Sequence, residues 1–336
     1  MCAQATSYNT VGDRENLTDF LTILEPEDTP KLSSFPKVKG QTNVFQEWQM
    51  DNLNNVNFSG VVEGQDVQAF NNEVQNRFRT GNYTQLFREP WMVSQLQEAS
   101  NPAGVSDEVA NSKEKAMRVV KRSIEAAIGS DNEMQLDTGT LPYLFRGLGK
   151  WVQSTAQALN PVNAIYLTPA ASIDTTATAS LLESNFNDVF QAIFQSVGGA
   201  RSYTLYAGPS LKRAISNFQR ATGSAGQTKT YQVTQDATDK QITLNVSFYE
   251  GDFHTVTVVP DLFNGLLNGA NPSTTTSQQK ARGYVVNPDL VGISYMIGLG
   301  SDELPNQGGG RRGYVSAALT LMVKNTKGLG KFAATS

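Results

Sequence analysis

Histidine is the first residue type to consider for catalysis, and this chain has one, His254. A Ser-His-Asp triad or a Cys-His pair would have to use that residue, and a metal site built from several histidines is excluded. His254 stands between Phe253 and Thr255, where a histidine is usually packed or surface-exposed rather than catalytic. We therefore predict no catalytic role for it.

Two carboxylates, Glu47 and Asp51, are four residues apart on a predicted strand and would share one face. That spacing is the minimum for paired-carboxylate chemistry such as glycoside hydrolysis. Carboxylates on a strand surface are usually only solvated charges. We predict no catalytic pair, and a carbohydrate-active enzyme using Glu47 and Asp51 remains the alternative from another protein class.

Two Gly-Leu-Gly-Lys tetrads and one basic loop are the candidates for phosphate binding. The tetrads, Gly147–Lys150 and Gly328–Lys331, lack the upstream glycine and the following Ser or Thr of a phosphate-binding loop. The run from Gly308 to Arg312 ends in two arginines that could touch phosphate, although a solvated turn is the commoner interpretation. We predict no catalytic, cofactor-binding or metal-binding residues.

Composition limits the classes of partner. The 336 residues include 27 Lys and Arg against 31 Asp and Glu, for a formal net charge of −4, so contact with DNA should be weak and non-specific. The single cysteine, Cys2, cannot build a disulfide framework or a cysteine-based metal site. No stretch approaches the roughly 20 apolar residues of a membrane span, so no membrane partner is expected.

Charged residues make up only 17% of the chain, where about 25% is typical of soluble domains. The surface must be rich in uncharged polar groups, which are easily desolvated against a partner. This favours a protein that works through contacts, and an ordinary polar surface explains the composition equally well.

The elements that would position these residues begin with an extended arm and a hairpin. Prolines 26, 30 and 36 favour an extended path through residues 1–40, interrupted by a short amphipathic piece at residues 17–24. Strand propensity at 42–51 returns at 77–97, and the segment between them is rich in Asn and Gly. The pattern predicts a protruding hairpin, which is marginal in water and needs a neighbour to lie on.

Helices and strands then alternate irregularly. Ser106-Asp107-Glu108 predicts the start of a long helix through Ile128, and a second helix should start at Ser180 with a capping box to Glu183. We predict a further helix near 210–221 and strands at 163–168, 202–207, 242–249, 253–260, 281–286, 290–297 and 313–324. This mixture indicates an α+β fold.

Six runs carry a resemblance to a known family. They are YNTVGDRENLTDFLTILEPEDTP from Tyr8, FQEWQMDNL from Phe45, NYTQLF from Asn82, YEGDFHTVTVVP from Tyr249, YVVNPDLVGI from Tyr284, and LTLMVKNTKGLG near the end. They resemble, in collinear order, the major capsid (major head) proteins of tailed bacteriophages with the Hong Kong 97-like fold. The resemblance covers nearly the whole chain.

The resemblance implies a division of the chain. Residues 1–40 would be the N-terminal arm and 41–100 the extended loop, a β-hairpin. Residues 101–160 would be the spine helix and part of the peripheral domain, 161–290 the axial domain, and 291–336 the return strands of the peripheral domain.

The resemblance also implies a function. Such a chain would be a structural, non-enzymatic subunit that self-assembles into hexamers and pentamers of an icosahedral head enclosing double-stranded DNA. The short stretch before the hairpin leads us to expect a separate scaffolding protein, with a portal and a decoration or cement protein as further partners. The virion capsid, assembled in the host cytoplasm, would be its location, and the shell protein of a bacterial nanocompartment of the same fold is the alternative.

Overall fold

The computed structural model describes residues 28–38, 40, 42–53, 56–67, 70, 77–100, 104–197, 202–218, 247–251, 254–266 and 276–333. The predicted amphipathic piece at residues 17–24 and most of the predicted arm lie outside the described residues, as does much of the predicted strand at 242–249.

Strands and helices alternate along this part of the chain. The strands are β1 (Lys37–Val38), β2 (Phe45–Met50), β3 (Phe78–Tyr83), β4 (Gln85–Val93), β5 (Ile173–Asp174), β6 (Ser202–Ala207), β7 (Phe248–Glu250), β8 (Thr255–Pro260), β9 (Arg282–Val286), β10 (Val291–Leu304), β11 (Arg311–Val323) and β12 (Gly330–Ala333). The helices are α1 (Pro30–Ser34), α2 (Gln95–Ala99), α3 (Glu108–Ile128), α4 (Leu148–Trp151), α5 (Glu183–Val197), α6 (Pro209–Asn217) and α7 (Ser277–Ala281).

The first core lies between α3 and a four-stranded sheet of order β1-β10-β11-β4. The predicted start of α3 is confirmed, because the Asp107 side chain accepts hydrogen bonds from the backbone N–H groups of Val109 (2.8 Å) and Ala110. Helical spacing then puts a stripe of buried apolar side chains on the face toward the sheet. Its members are Val109, Ala116, Val120, Ile124 and Ile128.

The second core lies against a six-stranded sheet of order β5-β12-β9-β6-β8-β7, with α5 and α6 packed on it. Strands β6 and β8 pair in parallel, whereas β9 pairs with β6 and β12 in the antiparallel sense. Most of the strands predicted beyond residue 200 are therefore confirmed, with shifted ends. The last strand, β12, belongs to this sheet and not to the four-stranded sheet that contains β10 and β11.

The hairpin predicted from strands at 42–51 and 77–97 is confirmed, but the second strand is divided in two and only its first part belongs to the hairpin. Strand β2 pairs only with β3, from Phe45 opposite Tyr83 to Met50 opposite Phe78. Thr84 ends that pairing, and β4 then pairs along its length with β11. The Trp48 indole donates a hydrogen bond to the Val323 carbonyl (2.8 Å), which fixes the base of the hairpin to the first core.

Two further predictions are wrong in detail. The predicted strand at 163–168 is a short 3-10 turn, because the Asn163 side chain accepts a hydrogen bond from the Ile165 N–H and caps the turn. Helix α5 begins at Glu183 and not at Ser180. The Glu183 side chain was expected to complete the capping box. Its carboxylate instead accepts a hydrogen bond from the hydroxyl of Tyr249, which is distant in sequence (2.9 Å).

Candidate functional site

The segment between β2 and β3 exposes apolar side chains that a soluble monomer would bury. Phe58 is 95% exposed, and Val56, Phe70 and Leu53 are nearly as open. Among the described residues of this segment, the exposed apolar side chains are Leu53, Val56, Phe58, Val61, Val62, Val67 and Phe70. An exposed patch of this kind marks an interaction surface. The sequence pattern predicted a polar tip, and single apolar residues spaced among Asn and Gly gave no periodicity that would identify the surface.

A second apolar surface is the outer face of the four-stranded sheet. Opposed residues put the side chains of Leu86, Ala318 and Ile297 side by side across β4, β11 and β10. Leu86 and Ile297 are each 50% exposed. A second row on the same face runs from Met92 on β4 through Arg312 on β11 to Leu304 on β10. The face therefore exposes apolar side chains in two places.

A buried ionic junction joins α1, α3 and the loop after β8. The side chains of Lys31 and Glu125 are fully buried, and Asp261 is 3% exposed. Lys31 Nζ contacts Asp261 Oδ2, lies 3.0 Å from Asn264 Oδ1, and lies 3.3 Å from Glu125 Oε1. The backbone N–H groups of Lys31 and Leu32 donate to the two Glu125 oxygens at 2.9 and 2.8 Å, which caps α1.

The electrostatics of the junction follow from burial and pairing. Burial raises the pKa of Glu125, and the charge of Lys31 opposes that shift. Burial acts to lower the pKa of Lys31, but the attraction of Asp261 and Glu125 outweighs it, so the net shift is upward. Sequence analysis missed the junction because its members are distant along the chain and a lone lysine after a proline carries no signal.

A second buried charge, Arg146, joins the hairpin base to the loop at residues 159–160. Its Nε donates to Glu133 Oε1 at 2.6 Å, its Nη2 donates to the Leu159 carbonyl, and its guanidinium lies 4.7 Å from the Trp151 ring centroid. Its backbone N–H donates to Asn82 Oδ1 on β3 at 2.8 Å. Burial lowers the pKa of Arg146, and the hydrogen bond to Glu133 acts in the opposite direction.

The residues considered for chemistry lie apart from one another. His254 is buried in the second core with its ring stacked on Phe190 at a centroid distance of 4.0 Å. Glu47 and Asp51 each form an ion pair with an arginine, at 3.0 Å to Arg79 and 3.2 Å to Arg77, at the base of the exposed segment. These carboxylates are engaged in separate, partly exposed ion pairs.

The two glycine tetrads are brought together, which the sequence did not predict. The Lys331 ammonium donates a hydrogen bond to the Gly149 carbonyl (3.0 Å), and burial lowers the pKa of that lysine. A Cβ on Gly147 would lie 2.3 Å from the Ser130 carbonyl oxygen, so close packing explains that glycine without a phosphate. The tetrads therefore serve packing between the two cores.

The basic loop contacts its own chain. Arg311 lies 2.9 Å from Glu303 and 3.5 Å from Glu98, while Arg312 donates to the Pro305 carbonyl. Across the described residues, no group of three His, Cys, Asp or Glu side chains is placed to hold a metal ion. Nor is any helix in that part of the chain both long and apolar enough to span a membrane.

The fold of this chain is of the Hong Kong 97-like type. The capsid of a native GTA particle matches with a TM-score of 0.61 at 11% identity, covering 98% of each chain. The mature capsid of bacteriophage PhiM1 matches with a TM-score of 0.61 at 11% identity, covering 99% of this chain and 95% of that one. The holo-SrpI encapsulin complex from Synechococcus elongatus matches with a TM-score of 0.53 at 11% identity, covering 95% and 92%.

The sequence narrows the class further. The pattern of the SU10 major capsid protein family matches residues 3–336, and the chain belongs to that family. No curated protein sequence matches it. The predicted fold and the predicted role as a major capsid protein of a tailed bacteriophage are thereby confirmed, and a structural role in the virion capsid and self-association follow from family membership.

Proposed function

We propose that this chain assembles into hexamers and pentamers of an icosahedral head that encloses double-stranded DNA, and that it performs no catalysis. The observation that carries the proposal is the segment between β2 and β3, whose seven apolar side chains are each at least 69% exposed. Burying one such side chain stabilises by about 1.5–3 kcal/mol. Burying the set on a neighbour would contribute on the order of 10 kcal/mol before ordering costs are subtracted.

The outer face of the four-stranded sheet of a second copy is the receiving surface that we propose. Residues 51–70 contain three acids, Asp51, Glu63 and Asp66, and no lysine or arginine. The receiving face presents apolar side chains beside two basic residues, Arg88 and Arg312, and one acid, Asp302. Apolar burial and opposite charge therefore favour the same contact, and the charges select its orientation.

The test replaces three apolar residues of the segment with serine: Phe58→Ser, Val61→Ser and Phe70→Ser. The subunit should keep its circular dichroism spectrum, because these side chains contact no core, and it should fail to form shells in sedimentation and electron microscopy. Gln65→Ser in the same segment is the matched control and should assemble normally. Shells formed by the triple variant at the wild-type yield would refute the proposal.

The proposed partners follow from the same role. They are a separate scaffolding protein, a portal, and a decoration or cement protein, with assembly in the host cytoplasm and only non-specific contact with the packaged DNA. The negative net charge supports weak DNA contact, since a shell of this charge cannot neutralise many phosphates.

The likeness to an encapsulin supports a second candidate, the shell of a nanocompartment. Family membership favours the phage head. Purified particles that contain nuclease-protected double-stranded DNA would support the phage head, whereas particles that contain a protein cargo and no nucleic acid would support the nanocompartment.

A further inference from the structure

The buried junction between α1, α3 and the loop after β8 holds an amine and a carboxyl group in direct contact. Lys31 Nζ contacts the Asp261 carboxyl group, and both side chains are removed from water. A second carboxylate, Glu125, lies 3.3 Å from the same nitrogen. A lysine, an aspartic acid and a proton acceptor in one dry site are the reactants of amide condensation.

The charges of the site define the first step of that chemistry. One ammonium and two carboxylates leave an excess negative charge in a site where each buried ion costs several kcal/mol of hydration. Moving one proton from Nζ to Asp261 converts the ion pair into a neutral amine and a neutral acid. No proton has to enter or leave the site, and the transfer leaves Glu125 as the single buried charge where there had been three.

Each reacting group is held in place by hydrogen bonds. Asp261 Oδ1 accepts from the Phe263 N–H (2.8 Å), which leaves Oδ2 toward Lys31. Asn264 accepts from Lys31 Nζ at 3.0 Å and donates to the Tyr206 carbonyl at 2.9 Å, so it orients the nitrogen. Two backbone N–H groups hold the Glu125 carboxylate beside the nitrogen. Such fixed geometry is what lowers the barrier to an intramolecular reaction.

We propose that Lys31 and Asp261 of the same chain form an isopeptide bond, with Glu125 as the proton shuttle. The Nζ lone pair attacks Asp261 Cγ, and Glu125 takes a proton from the attacking nitrogen. Glu125 returns that proton to the departing hydroxyl group, and water leaves. An N–C bond forms, a C–O bond breaks, no electrons are gained or lost, and Glu125 ends as a carboxylate.

The bond would close within one chain and would join no two subunits. It would tie α1 to the loop that follows β8, across 230 positions of sequence. The N-terminal arm would then be anchored covalently to the second core. The proposed bond is independent of the proposed receiving surface, since neither Lys31 nor Asp261 lies on the outer face of the four-stranded sheet or on the exposed segment.

The test is the intact mass of the denatured full-length chain. It should be lower than the mass of the sequence by one water molecule, and trypsin should not cut after Lys31. Tandem mass spectrometry should find the peptide containing Lys31 joined to the peptide containing Asp261. Lys31→Arg keeps the charge but cannot form the bond, so its mass should equal the sequence mass.

Two further variants complete the experiment. Glu125→Gln should abolish or slow the loss of water, because it removes the proton acceptor. Lys331→Arg, at a partly buried lysine that donates to a carbonyl instead of contacting a carboxylate, should leave the loss of water unchanged. A wild-type mass equal to that of the sequence, a loss of ammonia, or a loss of water mapped elsewhere would each overturn the proposal.

Discussion

Replacing Arg146 with alanine should destabilise the subunit severely. The guanidinium is fully buried and satisfies Glu133, the Leu159 carbonyl and the Trp151 ring at once. Removing one member of a buried charge pair costs about 3–5 kcal/mol, because the partner loses its counter-charge. Glu133 is 22% exposed and can recover some hydration, so the lower half of that range is expected.

Urea unfolding of unassembled subunits, followed by tryptophan fluorescence, measures this loss. With a slope of about 3 kcal/mol per molar, the midpoint should fall by about 1 M. Arg146→Lys keeps the positive charge but can make only one of these contacts, so its loss of unfolding free energy should be smaller than that of Arg146→Ala. Arg79→Ala breaks an ion pair in which Arg79 is 67% exposed, and it should cost less than about 1 kcal/mol. Equal losses for Arg146→Ala and Arg79→Ala would refute the reasoning.

Three other outcomes are expected. The hydrogen bond from Lys113 and the charge of Arg311 lower the pKa of Glu303 from its usual 4.5. The ionised Glu303 carboxylate therefore stabilises the fold above pH 4.5, and this contribution is lost as the pH falls through the depressed pKa. Glu303→Gln should therefore lower the melting temperature at neutral pH, with the difference from wild type vanishing in acid; a constant difference would contradict this. Boiling mature particles in detergent without reductant should give one band at monomer mass. Residues 41–112 contain no lysine for an isopeptide bond between subunits, and one cysteine per chain cannot link a network. A ladder of larger bands would show that another cross-link joins the subunits. Binding to duplex DNA at physiological salt should be weak and independent of sequence, and nanomolar affinity for one sequence would disprove it.

Elements with local signals were predictable, and those fixed by distant contacts were not. The start of α3 was predicted because Asp107 caps it locally, and the strand propensity at 290–297 and 313–324 located most of β10 and β11. The partner of β4 was assigned incorrectly, since nothing within residues 77–97 shows that pairing switches at Thr84 from β2 to β11. The resemblance supplied the family, but it did not show the Lys31 junction, whose members are separated by 94 and 230 positions.

The division of the chain into arm, loop, and peripheral and axial domains stays a prediction. The strand pairing shows why sequence boundaries are difficult to draw here. Strand β4 falls within the predicted loop at 41–100 yet pairs with β11, and β12 falls within the predicted return strands yet pairs with β9. The chain therefore crosses between the two sheets more often than a linear division allows.

The buried charges and the exposed apolar side chains of this subunit find their partners in different places. Inside, the buried charges Lys31 and Arg146 contact carboxylates and carbonyls of the same chain, so removing either side chain would leave a buried partner without its counter-charge. Outside, the segment between β2 and β3 leaves Phe58 and Phe70 in water, a cost that only a partner can remove. Because that segment contributes little to the isolated fold, variants in it should change assembly and not stability. Variants of Arg146 should do the reverse, so the two kinds of variant separate folding from assembly in one chain.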